Sequence, residues 1–298
     1  MKSFTNLRNL YGTFTKNTAT ANLSHGDELM NDHQRTLCAK ADFQFLHKTR
    51  TLTTVADTQF LNLPYDIYKV ESVYVTVSST RYVPKIKHSK EEWDMLNLTS
   101  YTSDVPLYAS VYGGQLGLWP TPATAGNTIT INGKLKIRDL NIADITTSTI
   151  TTLANASTAL TVSAGLTVQM AGFYIRPTFA TTANTGDGLW YEIDSVTNAT
   201  TATLVRKYGG TAIAAGTAAC TISQMPVLPE DYHTMLPLYA ASTYWYNEGD
   251  SVRGDNFKNM HDEKLKTFLS QALSSTTDYV LEEGDERQII NPNLTINL

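Results

Sequence analysis

The chain has 298 residues, enough for one domain that buries roughly three-quarters of its unfolded surface, or for two or three smaller units. Charged residues make up only 17%, and the formal net charge of −5 argues against a protein that grips nucleic acid through clustered Lys and Arg. An acidic wall past which DNA slides without sticking remains compatible with that charge. Cys38 and Cys220 are too few for a disulfide framework and stand in no ligand spacing, so they read as reduced core thiols. The first residues lead into no apolar signal region and no run approaches about 18 apolar residues, so the chain is expected to be made in a cytoplasm and to contact no membrane.

Residues 3–14 place Phe4, Leu7, Leu10, Tyr11 and Phe14 at helical spacing behind Ser3, a fitting N-cap. A polar loop is expected over 15–24. A second helix then starts near Asp27, with Leu29, Met30, His33, Leu37 and Ala41 on one face, and ends before Phe43. From Thr49 the period becomes two. Leu52, Phe60, Leu61 and Leu63 precede a turn at Pro64-Tyr65-Asp66, and Val73, Val75 and Val77 share one side of the next strand. Ser89 caps a short helix through Trp93. Residues 107–111 and 115–119 form a hairpin around Gly113-Gly114, Pro120-Thr121-Pro122 breaks the ladder, and 128–135 alternates as another strand.

At about Ile145 the composition shifts. To about Met225 the chain is rich in Thr, Ala and Gly and nearly free of charge. Strands are expected at 160–162, 167–170, 173–177, 189–196, 202–206 and 220–223, separated by Ala164-Gly165, Gly186-Asp187-Gly188, Gly209-Gly210 and Gly216. Such even spacing fits a small all-β barrel or sandwich. Helical period returns at Pro226. Pro229-Glu230-Asp231 is a helix start, Pro237 kinks that helix or delays it, and Gly249-Asp250 ends it. Residues 256–273 form the last helix, followed by a polar, acidic stretch that reads as an extended arm. The expected fold is α+β. N- and C-terminal helices (1–48 and 226–273) form a bundle, with a β domain (49–144), an inserted all-β module (145–225) and an arm (274–298).

Catalytic patterns are missing. No pair among His25, His33, His47, His88, His233 and His261 has the i, i+4 spacing with Glu of a zinc hydrolase helix, so each reads as structural. Asp278, Glu282, Glu283, Asp285 and Glu286 lie in a Gly-containing stretch that does not provide the rigid opposed carboxylates of a glycosidase. Neither a Gly-x-Ser-x-Gly elbow nor a phosphate-binding Gly-Lys-Ser loop occurs. No enzyme activity, cofactor or metal is expected. Phe173, Tyr174, Trp190 and Tyr191 could make a sugar-stacking platform, though aromatics fill cores and interfaces more often. Tyr244-Trp245-Tyr246 spans more than half a helix's circumference, so either another subunit or the N-terminal helices must cover part of it.

The stretch from Phe60 to Val73, with Leu63-Pro64-Tyr65-Asp66 at its turn, resembles the β-domain opening of tailed-phage head–tail adaptor (connector, neck, tail accessory) proteins. Pro106-Leu107-Tyr108 with Gly117-Leu118-Trp119-Pro120-Thr121-Pro122 is similar to the next hairpin of that family. Asn31-Asp32-His33-Gln34-Arg35 leading into Phe43-Gln44-Phe45-Leu46 resembles its N-terminal helix, and Leu228-Pro229-Glu230-Asp231-Tyr232-His233 through Lys264-Leu265 its closing helical pair. The likeness covers about 25–140 and 226–273.

The resemblance implies a virion neck protein made in the bacterial host. Its subunits form a homo-oligomeric ring, commonly of twelve, that joins the portal protein to the tail hub, nozzle or another tail protein. The ring lines the exit channel for double-stranded DNA without reading its sequence. Tyr239, Tyr244, Trp245, Tyr246, Phe257, Phe268, Tyr279, Ile289, Ile290, Leu294 and Ile296 are the residues expected at subunit or portal interfaces. The alternative is another phage tail or head-decoration protein whose β module binds glycan.

Overall fold

A computed structural model describes residues 1–98, 101–178, 186–213 and 218–290, with side chains to residue 272. The protein is mixed α+β, with five α-helices and a closed six-stranded barrel among the described residues.

Helix α1 (Phe4–Thr15) starts as the sequence indicates, with the Ser3 hydroxyl accepting from Asn6 N at 3.3 Å. It ends at Lys16, whose φ of 53° is left-handed. Helix α2 (Thr20–Ala39) begins a full two turns before the expected Asp27. Asn22 explains the difference: its amide donates to Asn17 O at 2.8 Å and to Thr15 Oγ1 at 3.1 Å, stitching the first turn of α2 to the end of α1. Gly26 lets α1 approach, since a Cβ there would overlap the buried ring of Tyr11.

Two four-stranded sheets follow. The first has the order β1 (His47–Thr53), β8 (Thr128–Leu135), β3 (Ile67–Val77), β4 (Thr80–Tyr82). The second runs β2 (Phe60–Asn62), β7 (Gln115–Trp119), β6 (Tyr108–Tyr112), β5 (Lys85–Lys87), with β5 parallel to β6 and the rest antiparallel. Val73 and Val75 from the first sheet meet Ala109, Leu116 and Leu118 from the second, with Ile129 and Ile131, in one apolar core. The β6–β7 turn is Gly113-Gly114, both at positive φ (59° and 77°). Helix α3 (Lys90–Leu96), capped by Ser89, lays Trp93 against Phe60 outside the second sheet.

The barrel closes in the order β10 (Ala159–Val162), β13 (Thr201–Leu204), β12 (Tyr191–Val196), β11 (Tyr174–Pro177), β14 (Ala218–Ser223), β9 (Thr149–Leu153). Alternate residues such as Leu160, Val162, Ile175, Ile193 and Ile222 fill it. The expected strand at 167–170 is instead a 3₁₀ turn, Val168–Met170, that tucks Met170 into the barrel core. Strands β4, β5 and β9 were not marked by the sequence pattern.

After a 3₁₀ turn at Glu230–Tyr232, helix α4 (Met235–Asn247) places Pro237 in its first turn, where no intrahelical N–H bond is lost. Pro237 therefore delays the helix. Helix α5 (Ser251–Ile290) overturns two expectations: it starts at Ser251, where Asp250 Oδ1 accepts from Arg253 N at 3.0 Å, and it continues to Ile290. The stretch 274–290, expected as an extended arm, is helix. Leu281, Glu282, Glu283, Glu286, Arg287 and Gln288 are strong helix formers, and they outweigh the single Gly284. Helices α1, α2, α4 and α5 share a core around Leu7, Tyr11, Met30, Leu37, Leu236 and Phe268.

Candidate functional site

Among the described residues, polar clusters tie the barrel to the first sheet and its approach segment to the helices. The first ties the barrel to the first sheet. Arg50 on β1 is only 4% exposed. Its Nε and Nη2 donate to Asp66 Oδ2 at 2.9 and 2.6 Å, its Nη1 to Asp194 Oδ1 at 2.9 Å and its Nη2 to Glu192 Oε1 at 3.2 Å, the last two carboxylates being on barrel strand β12. Lys48 also pairs with Glu192. Burial pulls the Arg50 pKa down, and the carboxylates more than reverse that pull, leaving it raised. Burial, then Glu192, raises the pKa of the Tyr174 phenol. Beside this cluster Arg138 donates from Nη1 to Gln169 O and Ala171 O at 2.8 and 2.9 Å and lies over the Tyr65 ring, its pKa lowered by burial. A cavity of about 360 Å³ opens here, lined by Phe45, Lys48, Arg138, Phe173, Tyr174 and Glu192 among others.

The second junction holds the 138–142 segment to the helices. Asn31 on α2 exchanges bonds with Leu140, accepting from its N at 2.8 Å and donating to its O at 3.2 Å. Gln34 donates to Arg138 O and accepts from Val227 N, both at 3.2 Å. Arg35 pairs with Asp139. Gln224, leaving the barrel, accepts from Asn141 N and Ile142 N at 2.9 and 3.1 Å and donates to Asp139 O at 2.5 Å. The stretch Asn31-Asp32-His33-Gln34-Arg35 is therefore a docking strip for the barrel's approach segment, a role that side-chain spacing alone could not reveal.

Three of the six histidines are buried. His33 on α2 and His261 on α5 meet Nε2 to Nε2 at 2.8 Å, 228 positions apart in sequence. His233 lies between Leu228 O at 2.9 Å and the backbone of Lys2. On the surface Asp42, His47 and Glu71 converge, but Lys134 Nζ holds Asp42 at 2.7 Å and the His47 ring bridges the two carboxylates. The Lys134 hydrogen bond lowers the Asp42 pKa. The donors satisfy one another and form an ion-pair patch. Cys38 and Cys220 are buried free thiols whose pKa values burial pushes up to about 12 and about 11.

The expected interface aromatics fall into two groups. Tyr239 stacks on His33 at 3.9 Å; Tyr244 meets the edge of Tyr11 and accepts from Asn17 Nδ2 at 3.4 Å. Trp245 Nε1 donates to Phe14 O at 3.2 Å, and Phe257 packs on Phe14. Helices α1 and α2 of the same chain thus cover much of this stripe. Phe268 is 1% exposed among Phe43, Phe45 and Tyr232, which makes it a core residue. Tyr246, at 40%, remains open, with Val252 and Met260 on α5. Tyr279, Ile289 and Ile290 lie on the part of α5 whose side chains are outside the described residues, and Leu294 and Ile296 are outside them altogether.

Sequence reasoning missed a larger exposed set. Phe60 on β2, Val111 and Tyr112 on β6, and Met95 and Leu98 at the end of α3 gather about the second sheet. Of the barrel aromatics, Phe173 and Tyr191 are core residues, in line with the commoner role of such rings, and Arg176 lies over Trp190, so they make no open platform. Among the described residues no helix is long and apolar enough to cross a membrane.

A protein whose buried charged and amide side chains are spent on holding its own parts together has the character of a structural component. The family described as SU10 adaptor protein matches residues 5–160, from α1 through the two sheets to β10. That is more than half of the chain, and the protein belongs to this family of phage structural proteins. The match takes in the docking strip on α2 and stops before the closing helices, which the resemblance at 226–273 had included. Among curated proteins no match is found.

Proposed function

We propose that the protein is the repeating subunit of a head–tail adaptor ring, commonly of twelve copies, that joins the portal to the tail and surrounds the DNA exit channel. Family membership over residues 5–160 is the observation that carries this reading. In it, α1, α2, α4 and α5 form a helical bundle that packs beside its neighbours around the channel. The bundle unit spans 1–48 and 226–273, and the units 49–144 and 145–225 face outward or toward the tail. Tyr246, Val252 and Met260, together with the apolar set about α3, are open to partner subunits. The net charge of −5 suits a wall that DNA passes without binding. A ring of this kind needs obligate-class interfaces above about 2,000 Å².

The 274–298 segment is proposed as the part that reaches the portal or an adjacent subunit. A chain lacking 276–298 is expected to fold and to fail to join the portal in a pull-down, while the full chain gains the mass of a ring when portal is added. Normal attachment by the truncated chain refutes the role of the segment. A full chain that stays monomeric with portal and is absent from virions refutes the adaptor reading.

A further inference from the structure

The imidazole pair at the junction of α2, α4 and α5 serves no part of the adaptor reading. His33 and His261 are 6% and 5% exposed, and Tyr239 of α4 stacks flat on His33 with an interplanar angle of 7°. The tautomers follow from the partners. His261 Nδ1 stands 2.9 Å from Asp262 Oδ1, so it carries hydrogen and donates to the carboxylate. In the neutral pair His261 Nε2 is then bare and accepts from His33 Nε2–H across 2.8 Å. One added proton can be accommodated, because a pair with one charged ring still has one Nε2–H and one bare Nε2 to share across the 2.8 Å contact. A second proton cannot be accommodated, because both Nε2 atoms would carry hydrogen and point at each other inside 3 Å.

We propose that this pair is a proton-operated latch. It holds α5 against α2 and α4 with zero or one proton bound and is forced open by the second, releasing α5 while the barrel stays folded.

The groups facing the pair agree with this. Asp262 on α5 accepts from His261 Nδ1. From α4 the Tyr239 ring faces both imidazoles, and Lys40, the C-cap of α2, acts against further positive charge. Burial, then His261 and Lys40, pulls the His33 pKa down to about 3. The sign follows directly. The opened state takes up the second proton near the ordinary histidine value of about 6.5, and the closed state resists it, as the lowered His33 pKa indicates. Latch strength is therefore full above about pH 6.5 and falls about tenfold per pH unit below it. Asp27 on α2, raised by burial to about 6, acts with the opposite sign, and His233 at the entry to α4 acts with the same sign. Both stay in place in the variant below.

The test is hydrogen exchange on the full chain, corrected for intrinsic rates, at pH 7.5 and pH 4.5. Amides of α5 around residues 257–268 should lose about a hundredfold in protection, as two pH units below about 6.5 require, while those of β10, β12 and β13 hold theirs. In H33Q/H261Q, where two amides can bond each other and neither titrates in this range, the selective loss should shrink to a few-fold. Equal loss in that variant, or equal loss in the barrel, overturns the latch. Should the variant fail to fold, proton NMR of the wild-type imidazoles decides. Only one of the two should titrate between pH 7.5 and 4.5, and two independent titrations near 6.5 with α5 protection intact overturn the proposal.

Discussion

Replacing Arg50 with Met tests whether the charge cluster holds the barrel to the first sheet. Arg50 supplies four short contacts to three carboxylates. Their losses are unequal. Glu192 keeps Lys48, and the Asp194 side chain is 27% exposed and regains water. Asp66 is 4% exposed, its Oδ2 loses both bonds, and its Oδ1 has no other partner. An uncompensated buried carboxylate of this kind costs about 3–5 kcal/mol. With a urea slope of about 3 kcal/mol per molar, the unfolding midpoint at pH 7 should fall by at least about 1 M. Circular dichroism reads that midpoint directly. Removing both charges in R50M/D66L should recover most of the loss, because the buried anion goes with its partner. A decrease under about 1 kcal/mol in the single variant, or no recovery in the double, refutes the reasoning.

Phe268→Ala should lower the stability of the isolated chain by about 3–5 kcal/mol in denaturant unfolding, since the ring is buried among Phe43, Phe45 and Tyr232. Tyr246→Ala, at a partly exposed ring, should change stability by less than about 0.5 kcal/mol while weakening self-association in sedimentation. Gly26→Ala drives a methyl into the Tyr11 ring and should cost about 1–3 kcal/mol in a thermal or denaturant melt, with Tyr11→Leu partly relieving it. Leu118→Ala, at the centre of the two-sheet core, should cost about 2–5 kcal/mol by the same assay.

Much of the fold was legible because local signals and tertiary packing agree. Ser3 and Ser89 cap helices, Gly113-Gly114 turns a hairpin, and Val73 and Val75 alternate inward. The barrel showed as a change of composition, yet β9 was missed, since Thr149–Leu153 is mostly Thr with only Ile150 and Leu153 facing in. The early start of α2 was hidden because Thr20, Asn22, Ser24 and Gly26 are poor helix formers that contacts with α1 recruit. The converse holds for 274–290, whose polarity suggests an extended arm although its residues favour helix. Of the expected interface, Tyr246 is partly exposed, and one-dimensional spacing could not show that α1 returns over Tyr244 and Trp245. The His33–His261 and Arg50–Glu192 pairings leave no periodic trace in the sequence, because each joins residues more than 140 positions apart.

Ile145 and Ile222 exchange both backbone hydrogen bonds, at 2.8 and 2.9 Å. The polypeptide therefore departs for the barrel and comes back through a doorway one bridge wide. From the vantage of the helices and sheets, everything between those two isoleucines is a single long loop with fixed ends. Lengthening a loop adds closure entropy only logarithmically. The intervening stretch can thus be trimmed, enlarged or exchanged for a short turn while the remainder keeps its register, provided that Lys48, Arg50 and Arg138 are changed with the barrel groups they hold.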